Sequence, residues 1–223
     1  MAITIPSGAG NLVLGNNLPE FINGTGSNDT IYGYAGNDFL EGRGGNDYID
    51  GGLGNDGLYG GLGNNTLVGG AGNDALYATY DGLLGSYTKG DTDQAGIRDV
   101  LIGGSGTDDF FLYGDGFNNY SYYDLFEGLP NVNSGAFAGT TTDSFATVKD
   151  LQVGESVGFS SNTYDLVVQN FGSSVRIGYD YAASNGSIDD LIGVLEGVQV
   201  SNLSISPLNL TTNNTFYTVT RIS

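Results

Sequence analysis

A phrase of nine residues repeats along the first half of the chain without slipping register. In GRGGNDYIDGGLGNDGLY, residues 42–59, two near-copies stand end to end. The sixth position of the phrase reads Asp29, Asp38, Asp47, Asp56, Asn65 and Asp74, and the eighth reads Ile31, Leu40, Ile49, Leu58, Leu67 and Leu76. The frame extends backwards through Glu20 with Ile22 and Asn11 with Val13, where the glycines are missing. It resumes after a break from about Ala78 to Ile97 with Asp99 and Leu101, then Asp108 and Phe110. One apolar residue in nine cannot form an amphipathic helix, which buries three or four residues in every two turns. Glycines at the first, second and fourth positions supply backbone with positive φ, so six residues turn and three form a short strand with its middle side chain inward. Two phrases then complete one coil of a solenoid.

Phrases n and n+2 stack on the same side of such a solenoid, one strand spacing of about 4.8 Å apart. Two unpaired carboxylates that close repel by roughly 3 kcal/mol at an effective dielectric near 20, and every coil repeats the problem. A divalent cation converts that repulsion into cohesion, and calcium takes carboxylate and carbonyl oxygens at about 2.3–2.6 Å, which fits between coils. The expected carboxylate ligands are Asp29, Asp38, Asp47, Asp56, Asp74, Asp99 and Asp108, with Asn65 as a weaker member. Carbonyls of Gly24, Gly26, Gly33, Gly42, Gly44, Gly51, Gly60, Gly69 and Gly103 complete the oxygen shell. Stacking Asp29 on Asp47, Asp38 on Asp56, Asp47 on Asn65 and Asp56 on Asp74 predicts on the order of four ions, with more near Asp99 and Asp108. One inward residue per strand makes a thin core that cannot offset the backbone entropy, so folding and Ca2+ binding are expected to be one event.

The composition agrees with a cation as partner. Acidic residues number 25 against six basic ones, a formal charge of −19, which disfavours nucleic acid and anionic membrane surfaces. The chain has no Cys and no His. That excludes disulfides, thiolate or imidazole metal sites, Ser-His triads and Cys-His dyads. Nothing in the spacing selects a pair of acids for catalysis, so no enzyme activity is expected. No apolar run approaches the span of a bilayer, and MAITIPSGAGNLVLGNN lacks the basic and apolar regions of a secretory leader.

The phrases GGLGNDGLY, GGLGNNTLV, GGAGNDALY and GGSGTDDFF resemble the nonapeptide of the RTX (repeats-in-toxin) calcium-binding family. The resemblance implies an all-β fold, a parallel β-roll (β-solenoid) with calcium held between turns. It also implies export by type I secretion machinery with an uncleaved C-terminal signal, and folding on arrival in calcium-rich surroundings. The segment DSFATVKDLQVGESVGF with YDLVV, VRIGYDY and DDLIGVLEGV resembles, more loosely, the β-rich C-terminal cap and secretion region of many such proteins. The expected organisation is an N-terminal strand or cap at 1–22, the roll at 23–77, an insertion loop at 78–97, the resumed roll at 98–113 and the C-terminal cap at 114–223.

The roll and its cap account for nearly the whole chain, which points to an extracellular or cell-surface structural protein. AITI near the start and TFYTVT near the end alternate as strands that could pair with a neighbouring copy. Outward aromatics at Tyr32, Phe39, Tyr48, Tyr59 and Tyr77, with Tyr59 beside Tyr77, suggest a contact face. Self-association into a filament or layer is therefore the expected role. The alternative is a secreted calcium-dependent adhesin or carbohydrate-binding module using the insertion and the tyrosines. The second turn position reads Thr25, Tyr34, Arg43, Gly52, Gly61, Gly70, so there is no flat rank of threonines of the kind that binds ice. The acidic pairs at Asp91 and Asp93, and at Asp189 and Asp190, read as solvated turns.

Overall fold

The computed structural model describes residues 2–4, 11–78, 98–112, 145–161, 165–180, 190–211 and 214–223. The expected insertion, apart from Ala78, lies outside them, as do Asp91, Asp93 and Asp189. In the first part of the chain each nine-residue phrase makes one short strand. These are β1 (Ala2–Thr4), β2 (Leu12–Leu14), β3 (Phe21–Asn23), β4 (Thr30–Tyr32), β5 (Phe39–Glu41), β6 (Tyr48–Leu53), β7 (Gly57–Tyr59), β8 (Thr66–Ala71), β9 (Ala75–Tyr77), β10 (Arg98–Ser105) and β11 (Asp109–Phe111). Odd-numbered strands stack in parallel in one sheet and even-numbered strands in the other. One coil of the roll thus contributes one strand to each sheet.

The register follows the period. Ile31 pairs with Ile49, Ile49 with Leu67 and Leu67 with Leu101 in the even sheet. Ile22, Leu40, Leu58, Leu76 and Phe110 form the facing column in the odd sheet. All of these are fully buried, and burying each stabilises the fold by about 1.5–3 kcal/mol. Leu67 and Leu101 are neighbours although residues 79–97 separate them, so the roll closes over that break without losing a coil.

The parallel stacking reaches further than the expected limits of 23 and 113. At the N-terminal end β1 pairs with β3 and β2 with β4. At the other end β12 (Phe145–Val148) lies parallel on β10, with Val148 against Leu101, and β13 (Ser156–Ser161) lies parallel on β11, with Val157 against Phe110. Residues 145–149 and 150–158 therefore follow the register of two further phrases. Glycine is sparse in that part of the sequence, so the Gly-Asn-Asp pattern does not show the frame.

Antiparallel strands finish both sheets. In the even sheet β16 (Asp190–Glu196) lies parallel on β12, and β15 (Ser174–Asp180) and β14 (Asp165–Phe171) follow it antiparallel. β17 (Leu203–Thr211) and β18 (Asn214–Arg221) extend the odd sheet beyond β13. This corrects one expectation: TFYTVT lies within β18, which is hydrogen-bonded on both sides, to β13 and to β17, and is not an open edge.

The glycines also divide their labour differently from the expected pattern. Positive φ occurs at the second and fourth positions, as at Gly52 (100°) and Gly54 (129°), but not at the first. Tyr34 (71°) and Arg43 (76°) hold the same left-handed conformation at the second position despite their side chains, at a cost of about 1–2 kcal/mol each.

Candidate metal centre

The sixth-position residues line the two corners where the chain passes between sheets. Asp29, Asp47, Asn65 and Asp99 stack at one corner; Glu20, Asp38, Asp56, Asp74 and Asp108 stack at the other. All nine are buried. Each aspartate binds the backbone of the coil before it through Oδ1. Asp47 Oδ1 accepts from the Asp29 N–H at 2.7 Å, Asp56 from Asp38 at 2.7 Å, Asp74 from Asp56 at 2.8 Å and Asp108 from Asp74 at 2.8 Å. Asp38 Oδ1 accepts from Glu20 at 2.8 Å, and Asp99 Oδ1 from Asn65 at 2.6 Å.

The second oxygens differ. Oδ2 of Asp38, Asp47, Asp56, Asp74 and Asp108 is buried with no hydrogen-bond partner. An unsatisfied buried carboxylate oxygen is costly, and here a backbone carbonyl accompanies it. A Cβ on Gly33 would lie 2.5 Å from the Gly51 carbonyl oxygen of the next coil and 2.7 Å from Asp38 Oδ2. At Gly51 the same test gives Asp56 Oδ2 at 2.5 Å and the Gly69 oxygen at 2.7 Å; at Gly69 it gives Asp74 Oδ2 at 2.5 Å and the Gly103 oxygen at 2.6 Å. Gly42 stands in the same relation to Asp47 and the Gly60 carbonyl, and Gly24 to Asp29 and the Gly42 carbonyl. The first-position glycine is thus required for space: with a side chain there, the oxygens could not gather. Charged acceptors gathered around a small buried space favour a cation there.

Three sixth-position residues show what satisfies this space without one. Asn65 turns its amide nitrogen to the carbonyls of Gly61 and Gly63, at 3.2 and 3.4 Å, while its oxygen accepts from the Asp47 N–H. Its Nδ2 takes the place of Oδ2 and donates to the carbonyls of the second and fourth positions. Asp29 Oδ2 accepts from the N–H and hydroxyl of Thr25, at 2.6 and 2.9 Å. Glu20 Oε2 accepts from the Asn16 N–H at 2.6 Å.

The third-position glycines expected as ligands, Gly26 and Gly44, differ from the first-position ones in having room for a side chain. Space around the Gly26 Cα is open, and a Cβ on Gly44 would meet only Gly26, at 3.7 Å. Among the described residues no three acidic side chains converge on one point; the oxygen-rich spaces combine one or two carboxylates with carbonyls.

Burial raises the proton affinity of these acids. It pushes Asp47 up to about 7, opposed by the hydrogen bond from the Asp29 N–H and reinforced by the Asp29 charge. Asp56 rises to about 6 and Asp74 to about 7 for the same reasons. Asp38 and Asp108 move in the same direction, again chiefly through burial.

Two features escaped the sequence reading. The fifth-position asparagines form their own ladder: Asn46 N–H donates to Asn28 Oδ1 at 2.7 Å, Asn55 to Asn37 at 3.0 Å, Asn64 to Asn46 at 2.8 Å and Asn73 to Asn55 at 2.9 Å. The unbroken run of Asn at that position was the available signal. The other is Glu155, which follows Asp108 in the corner column and is 1 % exposed. Its signal was a carboxylate two places before a buried apolar residue, Val157.

These features define a parallel β-roll with corners built to hold hard divalent cations. Residues 23–58 and 50–79 match the family model of the RTX calcium-binding nonapeptide repeat, in four copies. That stretch is a run of RTX repeats, and such repeats bind Ca2+. Among solved structures, the chain is similar to the AlgE6R3 subunit of the Azotobacter vinelandii mannuronan C5-epimerase, with 18% identity over 82% of this chain and 73% of that one, at a TM-score of 0.20. No curated protein sequence matches. The residues present fit calcium. Oδ2 of Asp38, Asp47, Asp56, Asp74 and Asp108 would hold it together with glycine carbonyls, and the ion would supply the positive charge that these oxygens lack.

Proposed function

We propose that this is a secreted, non-enzymatic structural protein, that its roll folds when calcium enters it, and that folded copies associate into a filament or surface layer. One observation carries the first part: five buried aspartates each have one oxygen bound to the preceding coil and the other without a donor, and at Asp38, Asp47, Asp56 and Asp74 a glycine carbonyl of the next coil lies beside it. The expected number of ions is therefore on the order of five, one for each such oxygen. Asp29 and Asn65 are satisfied by protein donors and contribute none. In calcium-poor surroundings the thin core does not outweigh five uncompensated carboxylates, and the chain stays unfolded until it reaches the exterior. Type I export agrees with that order of events. No helix among the described residues is long and apolar enough to cross a membrane.

The strand ends support association. Among the described strands β2 is hydrogen-bonded only to β4, and it presents Leu12 and Leu14 at 64 % and 48 % exposure. β1 is the corresponding edge of the odd sheet. An apolar edge strand with unpaired backbone groups is a template for a second copy. The surface aromatics favour this role over carbohydrate binding. Tyr59 and Tyr77 lie 4.4 Å apart at 5°, and Tyr77 and Phe111 4.3 Å apart at 5°, so each ring face is covered by the next ring and not offered to a sugar.

The test is far-UV circular dichroism with calorimetric calcium titration, followed by sedimentation of the loaded protein. We expect a calcium-dependent β signal that chelator abolishes, and large species that Leu12→Lys disperses. A β signal unchanged by chelator would sink the folding half. A monodisperse monomer at high calcium and protein concentration would sink the assembly half.

A further inference from the structure

The corner column that starts at Glu20 does not stop at the last recognisable repeat. Ser156 pairs with Asp109 and Val157 with Phe110, in the same relation that Asp109 and Phe110 bear to Ala75 and Leu76 one coil earlier. Glu155 therefore stands over Asp108 as Asp108 stands over Asp74. The two carboxylates are close enough to interact directly as hydrogen-bonding groups. Both residues are buried, at 1 % and 0 % exposure, and each keeps one oxygen, Glu155 Oε1 and Asp108 Oδ2, without a partner.

We infer that Glu155 is a ligand of the calcium ion at Asp108, which it shares across the seam between the repeats and the C-terminal strands, and that this ion locks the seam. The inference rests on the calcium reading of the roll but concerns a residue outside the matched repeats. Two neighbouring buried carboxylates, each with an oxygen that no donor reaches, repel when both are charged, and a hard cation held by both turns the repulsion into a link. The longer glutamate suits this place, where Asp150 stands at the first position instead of glycine. The Asp150 carboxylate is already engaged, accepting from the N–H groups of Gly103 and Gly104 at 2.9 and 2.8 Å.

Glu155 is also tied to the C-terminal strands. Its carbonyl accepts from the Arg221 N–H at 3.1 Å, and the Gly154 N–H donates to the Arg221 carbonyl at 2.7 Å. Glu155 Oε2 accepts from the Gln152 N–H at 2.6 Å, which fixes the side chain so that Oε1 is the oxygen left for the ion. An ion on Oε1 thus connects the end of the roll through β13 to β18. Docking of the C-terminal strands becomes calcium-dependent even though those strands contain no repeat.

The experiment uses the full chain with calcium alone. Bound calcium is counted after equilibrium dialysis for the wild type, Glu155→Gln and Asp38→Asn, and amide hydrogen exchange is followed in β13 and β18. We expect each variant to lose one ion. Only Glu155→Gln should raise exchange at Ser156–Ser161 and Asn214–Arg221, by tenfold or more, while amides of β5 and β7 stay protected. Glu155→Asp, which keeps the charge but is one methylene shorter, should lose the ion at low free calcium and regain it when calcium is raised. A full calcium count with unchanged exchange in Glu155→Gln, or wild-type affinity at every site in Glu155→Asp, overturns the inference while leaving the roll's calcium intact. Loss of an ion in Asp38→Asn alone has the same meaning. A wild type that binds no calcium overturns both this inference and the reading beneath it.

Discussion

Asp47 accepts the backbone N–H of Asp29 on one carboxylate oxygen at 2.7 Å, while its other oxygen is buried without a partner. One side chain thereby performs two tasks. Oδ1 joins coil to coil with or without metal, and Oδ2 places a charge that must be neutralised. Asn65, one coil along, retains the first task and drops the second, because its amide nitrogen is its own donor to Gly61 and Gly63.

Asn65→Asp should therefore create a calcium site. The replaced nitrogen becomes an oxygen beside carbonyls and without a donor, as Oδ2 is at Asp47 and Asp56. We expect one additional bound ion by equilibrium dialysis and higher thermal stability in calcium. In chelator the variant should be less stable than the wild type, because a buried unpaired carboxylate costs several kcal/mol. An unchanged ion count would show that the Gly61 and Gly63 carbonyls are not ligands.

Acid should substitute in part for calcium. In cation-free protein Asp47 and Asp74 are pushed up to about 7 and Asp56 to about 6, from an ordinary value of 3.8. A group whose pKa is raised by folding binds more protons folded than unfolded between those values, so its contribution favours the fold below about pH 4 and is lost as pH rises towards 7. Circular dichroism of the chelated protein should therefore show more β structure near pH 4 than at pH 7. Calcium affinity should run the opposite way, weakening below about pH 6 as protons compete for the same oxygens. A chelated protein that gains β structure as pH rises from 4 to 7 would contradict the burial of these acids.

The nine-residue frame made the two-sheet roll, its inward columns and the acid corners legible, because one apolar and one acidic position per phrase suffice to define a coil. It did not show which acids are already satisfied. Asp29 and Asp47 occupy equivalent places in the frame, yet Thr25 supplies donors to the first, where Arg43, the second-position residue of the Asp47 phrase, supplies none to Asp47 Oδ2. Nor did it reveal the coils built by β12 and β13, where Ala146 and Glu155 hold the sixth position without the surrounding glycines. Register in those coils comes from sheet pairing with β10 and β11, a tertiary effect that local pattern does not carry.

The turn glycines separate into those that supply φ and those that supply space, and two substitutions test the first group. Gly61 has φ of 86°, and a Cβ there would overlap the Arg43 carbonyl. Gly61→Ala should cost more than about 2 kcal/mol in calcium, from left-handed strain plus the clash. Tyr34 already carries that strain at φ 71° and is half exposed. Tyr34→Gly should raise stability by roughly 0.5–1 kcal/mol, the relief of strain less the entropy that glycine adds to the unfolded chain. Denaturant titration of both variants in saturating calcium measures the two effects with opposite signs.

The aromatic row on the odd sheet should be a stabilising stack in its own right. Phe21 stacks on Phe39 at 4.5 Å, Phe39 on Tyr59 at 4.4 Å, Tyr59 on Tyr77 at 4.4 Å and Tyr77 on Phe111 at 4.3 Å. The row changes position within the phrase along its length: Phe21 and Phe39 stand at the seventh place, and Tyr59, Tyr77 and Phe111 at the ninth. Gly57 lies beside the crossing, where an added Cβ would be in ordinary contact with both rings, 3.4 Å from Tyr59 and 3.9 Å from Phe39. Tyr59→Ala removes the link between the two halves and two ring pairs at about 0.5–1.5 kcal/mol each, so a loss of roughly 1–3 kcal/mol is expected. With Tyr59 already replaced, Tyr77→Ala should cost less than it does in the wild type, because their shared contact is gone. A double-mutant cycle in saturating calcium reads that coupling, and strict additivity would mean that the rings lie side by side without stabilising one another.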